Sequence, residues 1–183
     1  RSPVRSRQAA GGTGNGDLFN GGAAQSQGVE AKISYDLISS YSINYSLPFT
    51  VLYTYTDAFF KSNFNSDFEG WGKVLDGDKL PYISQNQVTT ILSLEHKKFN
   101  INLSGKYVSA MRTRPGQATM IPTESTDSYF IVDASASYFI TKKVALFGSV
   151  NNIADETYII SRRPAGIRPG MPRTMNAGIK VSF

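Results

Sequence analysis

At 183 residues the chain would make one or two domains if soluble, and its charged fraction of 18% lies below the roughly 25% of an average globular protein. It has no cysteine and a single histidine, His96, which excludes disulfides, thiolate metal sites and a histidine cluster for metal or for a conventional triad. The net charge of +5 is scattered, densest at Arg162, Arg163, Arg168 and Arg173, and reads as a solvated surface and not as a nucleic-acid footprint.

The predicted elements are strands. Residues 1–24 are rich in Arg, Gly, Ala and Ser and read as a flexible loop. Their Gly11-Gly12-Thr13-Gly14-Asn15-Gly16 run is no phosphate-binding loop, because no Lys-Ser or Lys-Thr follows it and no strand precedes it. Val29 to Leu37 alternates apolar odd with polar even positions, the period of a half-buried strand. The connection Ile38 to Leu47 is expected to hold one helical turn before Pro48. A second strand carries Phe49, Val51, Tyr53 and Tyr55 on one face and continues toward Phe60. Residues 62–84 read as a long loop. The third strand, Gln85 to Glu95, presents Val88, Thr90, Leu92 and Leu94 together. Lys97-Lys98 turns into a fourth strand with Phe99, Ile101, Leu103, Gly105 and Tyr107 on one side.

Residues 113–127 form a second long loop. The fifth strand, Tyr129 to Ile140, has Phe130, Val132, Ala134, Ala136 and Tyr138 on one face. Thr141-Lys142-Lys143 turns into the sixth, Val144 to Ile153. After a third long loop, 154–173, the last strand runs from Met175 to the terminal Phe183, with Met175, Ala177, Ile179, Val181 and Phe183 on one face.

The connections alternate short and long. Up-and-down pairing therefore puts every short turn at one end of the sheet and every long loop at the other. Outer-membrane barrels have that asymmetry, together with an apolar outer face, a polar lumen and aromatic girdles. No run of about 18 apolar residues offers a transmembrane helix, but barrel strands need only about 9–11 residues each. The expected class is all-β, an antiparallel up-and-down transmembrane β-barrel. The polar faces are rich in small uncharged residues, which argues against a soluble β-sandwich or lipocalin-like barrel; that reading and a passive porin are the alternatives. Seven strands cannot close a bacterial barrel alone, and Arg1-Ser2-Pro3-Val4-Arg5 offers neither an initiator Met nor a signal peptide, so the chain is expected to be part of a longer exported protein.

Several stretches resemble one family. Asn20-Gly21-Gly22-Ala23-Ala24-Gln25-Ser26-Gln27-Gly28-Val29-Glu30 resembles the entry to a barrel strand of TonB-dependent outer-membrane receptors, and Tyr53-Thr54-Tyr55-Thr56-Asp57-Ala58 resembles a later strand. Leu80-Pro81-Tyr82-Ile83-Ser84-Gln85-Asn86-Gln87 is similar to their L-P-Y-V-P-x-H-Q, with Ser84 and Asn86 departing from Pro and His. Val150-Asn151-Asn152-Ile153-Ala154-Asp155-Glu156-Thr157-Tyr158 resembles V-x-N-L-F-D-x-x-Y, with Ala154 in place of Phe, and Arg168-Pro169-Gly170-Met171-Pro172-Arg173-Thr174 resembles the approach to their aromatic C-terminus. The resemblance, from about residue 15 onward, implies about the last seven strands of a 22-stranded barrel, without the plug and the segment that contacts TonB. It further implies the Gram-negative outer membrane, contact with lipid and lipopolysaccharide, assembly through the C-terminal strand, and uptake of a scarce ligand such as a ferric siderophore or ferric citrate complex.

For that ligand the candidate contacts are Arg112, Arg114, Arg162, Arg163 and Arg168, since guanidinium suits carboxylate or phosphate oxygens. Lipopolysaccharide phosphates or the plug are the alternative partners of these arginines. Trp71, Tyr82 and Tyr158 are aromatic candidates. Asn151, Asn152, Asp155, Pro169, Gly170, Pro172, Arg173 and Phe183 are expected to be structural, with Phe183 at the short-turn rim. Asp57, Asp67, Asp76, Asp78 and Asp127 lack the spacing of a calcium loop. Glu30, Asp36, Glu95 and Asp133 show no nucleophile–base pairing, so no enzyme, cofactor or metal is expected.

Overall fold

The computed structural model describes residues 22–38, 44–66, 71–163 and 166–182. The loop expected over 1–24 therefore falls outside the described residues through residue 21, as do Asp67 and Phe183. Seven long strands follow in order: β1 (Ala24–Asp36), β2 (Pro48–Phe60), β3 (Asn86–His96), β4 (Phe99–Val108), β5 (Tyr129–Phe139), β6 (Val144–Asn151) and β7 (Thr174–Val181). Each pairs antiparallel with the next, in an open sheet whose order is the chain order.

The register turns the period of two into two chemically distinct faces. One row across the sheet runs Tyr35, Phe49, Leu92, Leu103, Ala134, Val150 and Met175. The opposite face carries rows such as Ser34, Thr50, Ile91, Ser104 and Asp133, and Asn102, Ser135, Ser149 and Asn176. A one-residue slip in any strand would exchange the faces. The apolar face has nothing packed over it: Ile33 is 71% exposed and Ile179 66%. A soluble two-sheet sandwich would bury these side chains against a second sheet. Among the described residues the buried apolar ones are Ala58, Phe60, Val74 and Val108, all at the end bearing the long loops. The solvent that suits the exposed face is lipid.

Aromatics mark both limits of that face. Tyr53, Tyr107 and Phe130 share its rows near the long loops through Val88. His96, Phe99 and Tyr138 are aligned near the short turns, and Tyr45 stacks on His96 with centroids 4.7 Å apart. The eight residue steps from Phe99 to Tyr107 cover about 26 Å at about 3.3 Å each, the scale of an apolar band about 25 Å tall before strand tilt shortens it.

The short connections are tied by side chains. Asp36 Oδ1 accepts the Ile38 and Leu47 amides at 3.1 and 3.0 Å, and Oδ2 accepts the Ser46 hydroxyl. Thr141 Oγ1 accepts the Lys143 and Val144 amides. The helical turn expected between Ile38 and Leu47 is not what the described part forms: Tyr45–Ser46 pairs with His96 and Glu95, extending the sheet. Hydrogen-bonding groups that β2 leaves free along the end of β3 compete successfully with a single helical turn, which has a costly nucleus.

Candidate functional site

The long connections 61–85, 109–128 and 152–173 all leave the same end of the sheet. Sequence periodicity reads them as loops, yet they continue the wall by backbone pairing. Segment 78–80 returns along the top of β2, with the Leu80 amide donating to Ala58 O (3.0 Å) and the Phe60 amide to Asp78 O (2.9 Å). The second long loop adds on next, through Lys79 N to Gly116 O (3.0 Å) and Tyr82 N to Arg112 O (2.9 Å). It folds on itself through Thr113 N to Glu124 O, and its exit reaches the third loop through Asp127 N to Ile159 O (3.3 Å). There Ile159–Ser161 pairs with Arg168–Pro169.

Local chemistry fixes each loop. In the first, Trp71 and Phe64 pack against Phe60 with ring centroids 5.3 and 5.2 Å apart. Val74 is fully buried, and the nearly buried Asp78 accepts the Leu75 amide at 2.8 Å. Gln117 of the second loop donates to Asp76 O and Asp78 Oδ1, joining the two loops. In the third, Asn152 is 2% exposed and takes a left-handed backbone conformation (φ 52°), which Asn tolerates better than most residues. Its Nδ2 donates to Glu156 O (2.9 Å) and Met171 O (3.0 Å), and its Oδ1 accepts the Glu156 amide (2.8 Å). Asp155 (φ 55°) accepts the Arg173 amide at 2.9 Å and pairs with its guanidinium at 3.7 Å. Asn151 Nδ2 donates to Thr174 Oγ1 at 3.1 Å. Gly170 donates its amide to Tyr158 O, and a Cβ there would lie 2.0 Å from Tyr158 Cζ, so the chain passes flat against that ring. Pro169 is the last residue of the third loop's short pair, and exposed Pro172 precedes Arg173.

The predicted arginines do not form one cluster. Arg114 pairs with Glu124 at 3.3 Å, and Arg162 Nε donates to the adjacent Ser125 carbonyl, so those two meet across the second and third loops. Arg163 follows Arg162 and accepts the Ser161 hydroxyl through its carbonyl. Arg168 is exposed and backbone-paired with Ser161. Arg112 is bridged to Ser125 through its backbone. Its Nη2 donates to Ala118 O, and it lines a groove of about 460 Å³ with Lys79, Asp57, Asn86 and Tyr107. Of the aromatic candidates, Trp71 belongs to the first loop's core. Tyr158 lies against Tyr129 with centroids 4.1 Å apart, and Tyr82 is 37% exposed on a left-handed backbone (φ 59°).

Several of the carboxylates are committed to structure. Asp133 accepts the Asn152 amide at 2.8 Å, Asp127 the Ile159 amide at 2.9 Å, and Asp57 pairs with Lys79. Among the described residues no three His, Cys, Asp or Glu side chains are grouped as a metal site would need. The Asp57–Lys79 pair went unread in the sequence because its members are 22 positions apart and meet only when the first loop folds back.

The family model described as TonB dependent receptor-like, beta-barrel matches residues 4–153. Similar folds occur in the siderophore receptor PiuA from Acinetobacter baumannii (TM-score 0.65, 18% identity, 91% of this chain and 23% of that one). They occur also in the ferric yersiniabactin uptake receptor FyuA from Yersinia pestis (0.65, 14%, 91% and 25%). A third is the ferric citrate transporter FecA in its unliganded form (0.64, 19%, 86% and 24%). The chain thus spans about a quarter of the length of these structures.

Proposed function

The chain belongs to the TonB-dependent receptor β-barrel family, a family of the outer membrane, and from that premise we propose that it forms part of the wall and rim of a receptor for active uptake of an anionic iron chelate. The cargo class is a ferric siderophore or a ferric citrate-type complex. The observation that carries this reading is the meeting of Arg114 and Arg162 at Glu124–Ser125, on loops fastened to one another above the membrane-facing rows. Arg163 and Arg168 extend the basic rim along the third loop. A guanidinium on an ordered loop loses little freedom when it binds a carboxylate or a phenolate-type oxygen, and its several N–H groups allow one to hold the loop while others face cargo. PiuA, FyuA and FecA, which carry ferric or siderophore cargo by their names, add support by analogy of fold. In this reading a plug and a TonB-contacting segment of the whole receptor supply gating, the C-terminal strand serves barrel assembly, and the wall does no catalysis.

The test is uptake of radioactive iron by cells whose sole copy of the whole receptor is wild type or Arg114→Ala/Arg162→Ala. Ferric citrate and a panel of purified ferric siderophores are supplied, with and without a proton-gradient uncoupler. One chelate should be taken up, the uncoupler should abolish its entry, and the double variant should raise its half-saturation about tenfold or more, the loss of one or two charge-assisted hydrogen bonds. Uptake indifferent to the uncoupler would make the protein a passive porin. Uptake of none of the chelates would remove iron as the cargo.

A further inference from the structure

We propose that Gln117 is a positioning residue for the cargo site, through which the first long loop sets where the second holds Arg114. This rests on the uptake reading above and brings into it a loop that carries none of the candidate arginines. The seat is the turn 75–78 of the first loop, which is fastened to the end of β2. The Gly77 amide donates to Phe60 O at 2.8 Å, and the Phe60 amide to Asp78 O at 2.9 Å. Within the turn the Leu75 amide donates to Asp78 Oδ2 at 2.8 Å and the Asp78 amide to Leu75 O at 3.1 Å. Gln117 closes over it. Its Nε2 donates to Asp76 O at 3.0 Å and to Asp78 Oδ1 at 3.3 Å, so two acceptors take its two N–H groups. Gly77 lies between them with φ 87°, and a Cβ there would stand 3.2 Å from the same Nε2. The amide thus lies across bare backbone. Asp78 is 6% exposed, which keeps its charge-assisted bond to Gln117 largely out of water.

Arg114 lies three positions before Gln117, in a segment held from both sides. Toward the first loop, Gly116 O accepts the Lys79 amide at 3.0 Å and Arg112 O accepts the Tyr82 amide at 2.9 Å. Toward the loop's exit, Thr113 is 2% exposed and gives both its amide and its hydroxyl to Glu124 O. Arg112 Nη2 donates to Ala118 O at 3.0 Å and closes the span 112–118 on itself. Arg114 has little of its own to fix it. Its guanidinium pairs with Glu124 at 3.3 Å, and its Nε is buried without a hydrogen-bond partner. Its place is therefore dictated by the backbone of 112–118, and Gln117 supplies a side-chain contact that ties that backbone to the sheet. Without this contact the segment spends less time where Arg114 and Arg162 meet at Glu124–Ser125. Apparent affinity for cargo falls by the fraction of the binding-competent population that is lost.

The experiment compares the whole receptor as wild type, Gln117→Ala, Gln117→Met, Arg114→Ala and Gln117→Ala/Arg114→Ala. Methionine keeps nearly the length of glutamine and stays neutral but has no N–H to donate. Ferric citrate and the same panel of ferric siderophores are used for binding to the purified receptor and for uptake by cells. Hydrogen exchange over 111–120 is followed in the chelate-free receptor. Gln117→Ala and Gln117→Met should both weaken chelate binding about fivefold, the scale of one or two lost hydrogen bonds. Both should raise the half-saturation of uptake and leave its maximal rate unchanged, whereas a folding defect lowers the maximal rate. Both should speed exchange over 111–120 and leave that of β5 as it is. In the Arg114→Ala background, Gln117→Ala should weaken binding less than about twofold, because the group it positions is gone. A methionine variant that binds as wild type does would make packing the cause. Equal losses in both backgrounds would make Gln117 a general stabiliser, and unchanged exchange would mean that the contact does not hold the loop. Each of these results overturns the proposal. If Arg114→Ala binds every chelate as tightly as wild type, the cargo reading fails and the positioning role with it. Failure of the Gln117 variants alone leaves that reading standing.

Discussion

Asn152 shows how much one side chain does at the top of the wall. Its three side-chain hydrogen bonds join the end of β6 to Glu156 and Met171, and its left-handed backbone turns the chain away from the sheet. Asn152→Ala removes all three bonds and puts an alanine where φ is 52°. At about 1 kcal/mol per net hydrogen bond and about 1 kcal/mol for the backbone, the third loop should lose roughly 3–4 kcal/mol of local stability. Asn152→Gly relieves the backbone cost and should lose less. Limited proteolysis of the whole receptor measures this, with cleavage inside 152–173 expected fastest for Ala, intermediate for Gly and slowest for wild type. Identical cleavage in all three would mean the clasp does not hold the loop. The V-N-N-I-A-D stretch offers Asn and Asp side chains suited to bonding nearby loop backbone groups. Their partners Met171 and Arg173 lie 19 and 18 positions onward and no local pattern names them.

At the scale of the strand, the period of two was the most legible property, since alternation is fixed by backbone geometry before any partner is present. All seven long strands lie where alternation puts them, with ends differing by a few residues. The pairing of the long loops was not legible, because Lys79 to Gly116 or Asp127 to Ile159 depends on which segments the folded wall brings side by side. Glycines and prolines in those loops signal turns and say nothing of what lies across them. The two faces of β4 offer a direct test. Leu103 lies on the apolar face between Leu92 and Ala134, and its neighbour Asn102 lies on the polar face, donating toward Ser135 and accepting from Ser93. A lysine on the lipid face near the bilayer midplane costs about 2–4 kcal/mol, whereas a lumen lysine stays wet. Leu103→Lys in the whole receptor should therefore cut the yield of heat-resistant folded barrel severalfold, and Asn102→Lys should leave it near wild type. The reverse order, read on the same gels, would invert the assignment of faces.

For the whole molecule, the sheet is open: among the described residues β1 pairs only with β2, and β7 only with β6. The outer edges of those two strands present backbone N–H and C=O groups, and in hydrocarbon each unsatisfied group costs several kcal/mol. Strands of 13 residues at one edge and eight at the other make that summed penalty larger than the roughly 5–15 kcal/mol by which folded domains are stable. Only further strands that bridge β1 to β7 remove it, in keeping with a chain that spans about a quarter of the receptors it resembles in fold. The 183-residue chain, produced alone and refolded into detergent micelles, should accordingly give no heat-dependent gel shift and should associate edge to edge, seen as heterogeneous large species by light scattering. Refolding it together with a second polypeptide carrying the receptor's remaining strands should restore the shift, because the two new seams satisfy both edges at once. A compact monomer formed by the chain alone would show that β1 and β7 find each other without help. The wall would then be a small closed barrel too narrow for a plug, and the uptake reading would have to give way to that of a self-sufficient pore.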